Sequence, residues 1–233
     1  MAGTSSVLTP PVECILVIQA HPDDAEHLCG GTIAHLVNEG REVHYLFVTR
    51  GDKGSDDPEM TTERLAAIRE QEQRNAAATL GVKSVTFLEG YSDGEVEPGL
   101  QLRKEIAEVI RRIKPQAALT FDPWRKNELH PDHRAVGITT VDAIAQARGR
   151  LSYPEQLVEG ITPHKVNQIY FFSTDRPNVW VDITTTMEQK LAALRCHESQ
   201  MTSGKEESIR RRAIIAGAEY KFKYAEVFHR YSI

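Results

Sequence analysis

A chain of 233 residues, 40% hydrophobic and 26% charged, is long enough for a substantial core and has the composition of an ordinary soluble globular protein. Its formal charge of −5 and pI near 6.0 carry no sign of the basic patch that nucleic-acid binding leaves, and its two arginine clusters, Arg111-Arg112 and Arg210-Arg211-Arg212, read as solvated helix faces. Three scattered cysteines without a CxxC, a start (MAGTSSVLTPPVE) without a basic or apolar leader pattern, and no run of about 18 apolar residues predict a cytoplasmic protein with no membrane span.

Along the chain, strand-like and helix-like segments alternate. CILVIQA (14–20) is apolar and largely β-branched, as a buried strand requires. Ile33, Leu36 and Val37 then mark a helix that Gly40 closes. VHYLFVT (43–49) is a second strand, followed by the polar loop RGDKGSDDPEM. The spacing predicts a long helix from Thr61 to Leu80, with Thr61 or Thr62 as cap and Gly81 as stop. SVTFLE (84–89) is a strand, and Leu102, Ile106, Val109, Ile110 and Ile113 keep helical spacing up to Pro115. AALTFD (117–122) is a strand and 131–147 a helix. IYFFST (169–174) and VWVDIT (179–184) are strands, and Met187, Leu191 and Leu194 lie on a closing helix. Linkers are expected at 148–164 and 202–206, within one domain spanning 1–233.

Such alternation with continuous apolar strands predicts an α/β fold, a Rossmann-like, doubly wound, mostly parallel sheet with helices on both faces. Ligands of such sheets bind beyond the carboxyl ends of the strands, where the strand order reverses. Two polar constellations fall at such ends: QAHPDDAEHLCGG (19–31) after the first strand and FDPWRKNELHPDH (121–133) after the fourth. With strand order 3-2-1-4-5 they meet in space.

His21 and Asp24, three residues apart, have a common spacing for two ligands of one metal, and His133 can supply a third. Two imidazoles and a carboxylate with open positions suit a catalytic Zn²⁺. Asp23 is free to take a proton, His130 to stabilise an oxyanion or protonate a leaving amine, and Asp132 to orient an imidazole. The plainer reading makes HPDD and HPDH two helix N-caps with acids at the positive dipole end. The same donors also form the facial triad of a mononuclear iron oxygenase, against which Asp23 and His130 count, and a non-catalytic sugar- or nucleotide-binding Rossmann-like module would not need Asp23. No GxGxxG is present, and Gly30-Gly31 read as close helix–strand packing.

AHPDDAEHLCGGTIAHL followed by HPDHRAVG resembles the PIG-L/LmbE-like zinc-dependent N-deacetylases. FDPW–HPDHR and PNVWVDITTTMEQKLAALRCHESQ are closest to the diacetylchitobiose deacetylase branch. The resemblance implies an enzyme that hydrolyses the amide of an N-acetylglucosamine-type substrate, with one zinc per chain held by His21, Asp24 and His133. It also implies Asp23 as general base, His130 as oxyanion or acid partner, and a homo-oligomer, hexamer or trimer, to which the apolar residues of 148–164 and 219–233 would contribute. His27 departs from the apolar or aromatic residue that this pattern leads one to expect.

Three further residues carry paired readings. Arg69 and Glu72 fall on the inward arc of the long helix, at about 100° per residue, with Leu65, Ile68, Ala76 and Leu80. Arg69 either pairs with Glu72 or, as family resemblance implies, grips the substrate. Asp93, in GYSDGE, either binds sugar hydroxyls, as the family resemblance implies, or only shapes a turn. Trp124 either stacks on a sugar ring or caps the core. His197-Glu198-Ser199-Gln200 reads as a helix C-terminus outside the site.

Overall fold

A computed structural model describes residues 12–233, so the leader reading of residues 1–11 lies outside the described residues. Seven strands form one sheet in the order β3-β2-β1-β4-β5-β7-β6. They are β1 (Cys14–Gln19), β2 (Glu42–Phe47), β3 (Ser84–Phe87), β4 (Ala117–Phe121), β5 (Gln168–Phe172), β6 (Val179–Asp182) and β7 (Ala225–Ser232). The first five in sequence pair in parallel, with Ile15 opposite Val43 on one side and Ala117 on the other. β7 runs antiparallel to both β5 and β6. The expected order 3-2-1-4-5 is present, with β1 and β4 adjacent at the reversal.

The helices are α1 (Asp24–Asn38), α2 (Thr62–Leu80), α3 (Leu100–Ile113), α4 (Pro131–Ala147), α5 (Met187–Arg195) and α6 (Lys205–Gly217). Local chemistry sets their ends. The Thr61 hydroxyl accepts from the Arg64 amide to cap α2, and Gly81 ends it in the left-handed conformation at φ 77°. α4 begins with Pro131, whose missing N–H costs nothing there. Gly31 on α1 permits a close approach: a Cβ there would stand 2.8 Å from the Ile183 side chain.

Four expectations need correction. The stretch 219–233 has a place in the sheet, because β7 inserts between β5 and β6. Residues 205 and 206 belong to α6 rather than to a linker, so that only 202–204 of the expected linker lie outside the helix, where Gly204 takes φ 81°. Arg111 is not solvated but 0% exposed. Its guanidinium donates to the carbonyls of Gln146, Ala147, Gly149, Ser152 and Tyr153, so it collects the polypeptide leaving α4, which lacks a ladder of its own. The His197–Gln200 segment is also no helix terminus: α5 stops at Arg195, and Glu198–Gln200 form a separate 3-10 turn.

The antiparallel addition anchors α1. Glu226 of β7 accepts from the Gly31 and Thr32 amides and the Thr32 hydroxyl, and pairs with the buried Lys190 of α5. Removing one partner of a buried pair leaves an uncompensated charge. Lys190→Met should therefore cost about 3–5 kcal/mol of folding stability, measured by chemical denaturation against wild type.

Candidate metal centre and catalytic site

The site grows from the chain's exit at β1. Ala20 and His21 follow the strand, and Asp23 takes φ 88°, ψ −16° as the residue that opens α1. That left-handed conformation lets the chain turn directly from strand to helix, and it is uncommon outside glycine and asparagine or aspartate. Asp24, the first helical residue, returns its Oδ2 to the His21 amide at 2.8 Å.

Asp24 thereby becomes the centre of a three-residue set. Its Oδ2 lies 3.5 Å from His21 Nδ1, and its Oδ1 lies 3.4 Å from His133 Nε2, brought in by the first turn of α4. Each imidazole turns its other nitrogen to a second carboxylate. His21 Nε2 donates to Asp132 at 2.8 Å, and His133 Nδ1 faces Glu128 at 3.5 Å. That alternation of carboxylate, imidazole and carboxylate is how proteins orient histidine toward a metal. Phe121 stacks on the His133 ring at 4.0 Å and fixes its plane. Asp132 also accepts from the Gly94 and Val96 amides, tying the β3–α3 loop to the site. Ligand atoms of His21, His130 and His133 come within 4.8 Å of one another, as do those of His21, Asp93, His130 and Asp132. Those two overlapping groups, which share His21 and His130, are therefore of the type and spacing that hold a metal ion.

Electrostatics match this geometry. Burial pushes the Asp24 carboxyl up, but His133 and His21 outweigh it and hold it well below the usual carboxylate range. Burial likewise pushes His21 down, and Asp132, Asp24 and Asp93 override it to raise the imidazole well above the ordinary histidine value. Asp23 is raised, by burial first and against the pull of Arg69, with Asp24 adding to the rise. His130 is lowered by burial and by the neighbouring His21 and His133. Its Nδ1 is buried without a hydrogen-bond partner among the described residues, and Asp93, rather than Asp132, is the carboxylate its Nε2 faces, at 3.9 Å.

The substrate-gripping trio separates. Asp93 joins the cluster, its Oδ1 3.1 Å from His21 Nε2. Arg69 points inward but is 4% exposed and donates to the Pro22 and Gly51 carbonyls at 2.6 and 2.9 Å. It stands 3.7 Å from Asp23 Oδ1 and so braces Asp23, while its Nε has no hydrogen-bond partner among the described residues. Nor does it pair with Glu72, which accepts from the Ser199 amide and hydroxyl. Trp124 is 54% exposed and packs edge-on against Phe171, lining a groove along α4, β5 and β7 apart from the three site histidines.

Several partners of the site carry no clear signal in the sequence. Glu128 lies inside the 121–133 motif, but a glutamate five residues before His133 has no fixed geometry on an irregular loop. Lys205 Nζ, 3.6 Å from Asp23 Oδ2, comes from α6, and only the placement of that helix brings it near. His27 extends the same side, its Nε2 3.7 Å from Asp23 Oδ2.

These features define an α/β protein with a His/Asp donor set at the strand-order reversal. The chain belongs to the PIG-L family: residues 16–144 match the family model described as GlcNAc-PI de-N-acetylase. It is 40% identical over 189 residues to the diacetylchitobiose deacetylase of Thermococcus kodakarensis, covering 81% of this chain and 70% of that protein. It is 26% identical over 228 residues to the 1D-myo-inositol 2-acetamido-2-deoxy-alpha-D-glucopyranoside deacetylase of Mycobacteroides abscessus, covering 81% of each. The structure of the N,N'-diacetylchitobiose deacetylase of Pyrococcus horikoshii superposes with a TM-score of 0.92 at 33% identity, over 97% of this chain and 87% of that one. Among the described residues no helix is long and apolar enough to cross a membrane.

His27 yields a test of this environment. Burial, then Lys205 and Lys190, pushes its pKa from 6.5 down to about 3. A folded pKa below the unfolded one means that the unfolded chain binds the extra proton, so stability falls as pH drops below 6.5. His27→Gln should remove about 2 kcal/mol of the stability lost between pH 8 and pH 5, read from denaturation midpoints of both proteins at each pH.

Proposed function

We propose that this protein is a zinc-dependent hydrolase that removes the N-acetyl group from an N-acetylglucosamine-type substrate. The observation that carries the reading is the Asp24 carboxylate between His21 Nδ1 and His133 Nε2, with Asp23 beside it at the mouth of α1. His21, Asp24 and His133 would hold the ion. A zinc ion held there would supply an acidified water and polarise the acetyl carbonyl.

The remaining chemistry belongs to the chain. Asp23 accepts a proton at its carboxylate from the attacking water, whose oxygen adds to the acetyl carbon. His130 faces the same space and donates toward the carbonyl oxygen as negative charge develops there. The C–N bond breaks, the amine nitrogen receives a proton, and acetate leaves. Asp132 and Glu128 act through the imidazoles they orient. Asp93 supplies a carboxylate for sugar hydroxyls next to His21. The relatives named above act, by their names, on diacetylchitobiose and on a glucosaminyl inositol, which supports an acetylated amino sugar as substrate class.

Free amine released from a panel of N-acetylglucosamine, N,N'-diacetylchitobiose and N-acetylglucosaminyl inositol tests the reaction. With the best substrate, Asp23→Asn should retain metal and lose about 10²–10⁴ in turnover, whereas His21→Ala, Asp24→Ala and His133→Ala should each lose zinc affinity. Metal lost together with activity in Asp23→Asn, or iron retained in place of zinc, would refute the assignment.

The same reading extends to assembly as a homo-oligomer, trimer or hexamer. Its support is the groove of about 750 Å³ along α4, β5 and β7, lined by Trp124, Ile144, Phe171, Tyr231 and Ile233. Sedimentation at micromolar concentration should give a mass several times 26.2 kDa, and a monomer would overturn it.

A further inference from the structure

A buried polar relay ends on a strained residue of the site. The Asp23 amide donates to Gln73 Oε1 of α2 at 2.9 Å. Gln73 Nε2 donates to Glu26 Oε1 of α1 at 3.0 Å, and Glu26 Oε2 lies 3.5 Å from His197 Nε2. Gln73 and Glu26 are 0% exposed and His197 1%. Among the described residues neither ring nitrogen of His197 has a hydrogen-bond partner, and the ring lies against the Glu26 carboxylate.

We infer that Gln73, held by Glu26 and backed by His197, is the positioning residue that locks Asp23 in its left-handed conformation and so aims the carboxylate that the proposed function uses as base. Chemistry fixes the direction of the relay. A backbone amide only donates, so the oxygen of Gln73 must face the Asp23 amide, which turns its NH₂ end to Glu26. A left-handed non-glycine residue persists where its surroundings over-determine it. Here they do so from two sides: Gln73 holds the Asp23 amide, and Arg69 holds the preceding Pro22 carbonyl. The 3-10 turn after His197 is fastened separately to α2 through Ser199 and Glu72, which keeps the ring against Glu26.

Gln73→Met keeps the volume and removes both hydrogen bonds. Its kcat should fall about 10–100-fold, the usual result of misplacing a reacting group by about 1 Å, with KM and zinc content unchanged and faster hydrogen exchange at the Asp23 amide. The same substitution in an Asp23→Asn background should change kcat less than about twofold, because residues acting through one group are not additive. Gln73→Glu sets two carboxylates face to face and should be as impaired, whereas Gln73→Glu with Glu26→Gln rebuilds the relay with its polarity reversed and should recover most of the turnover. An equal loss in the wild-type and Asp23→Asn backgrounds, or a swap no better than Gln73→Glu alone, would overturn the inference. Full activity in Asp23→Asn would instead defeat the assignment of Asp23 as base, while an inactive Asp23→Asn beside a fully active Gln73→Met would defeat the relay alone.

Discussion

Everything at this site hangs on the carboxylate of Asp24 being shared. One oxygen serves the backbone and ring of His21, and the other serves the ring of His133, on a distant part of the chain. Sharing is possible only because β1 and β4 are neighbours while their following segments leave on the same edge of the sheet. A different strand order would leave each His-Pro-Asp motif as an N-cap and nothing more. The reversal of strand order therefore creates the site, and Asp24 is the atom-level expression of it.

The carboxyl-terminal third completes what residues 16–144 begin. Asp132 of α4 and Glu128 of the preceding loop support the imidazoles, but Asp23 is braced by α2, with the His197 turn behind it, and by Lys205 of α6. α1 itself is pinned by Glu226 of β7 and Lys190 of α5. Apart from Asp132, Glu128 and α2, these braces lie beyond the stretch 16–144 that matches the family model. The donor set and much of the scaffold that orients it are thus encoded in different parts of the chain.

That division decides what a reader of the sequence can see. The parallel core is legible because its strands are uninterrupted apolar runs, and helix limits are legible where a cap or a left-handed glycine marks them, as at Thr61 and Gly81. The His-Pro-Asp motifs are legible because two such clusters at adjacent strand ends are more than two helix caps require. β7 is not, since AEVFHRYS mixes polar and apolar residues as an antiparallel strand near the edge does, against the continuous pattern of its parallel neighbours. Arg111 is hidden by its charge: helical spacing beside acids suggests solvent, and only the loop folded over it reveals its carbonyl partners. Arg69 falls on the correct face, but periodicity names a direction and not a partner, and the partner proves to be backbone.

The polarity of the site follows from the same arrangement. Around the donor set, carboxylates and imidazoles alternate, so each histidine of the donor set is oriented and each acid is partnered. On the helix side stand the cations, Arg69 at 3.7 Å from one Asp23 oxygen and Lys205 at 3.6 Å from the other. Asp23 lies between, raised by burial and by Asp24 yet drawn down by those two cations. His27 stays neutral in this cationic wall because burial, Lys205 and Lys190 oppose its protonation. A permanently charged residue in its place would add a competing partner for the Asp23 carboxylate. A neutral imidazole fills the volume and leaves the balance between metal side and cation side to Asp24, Arg69 and Lys205.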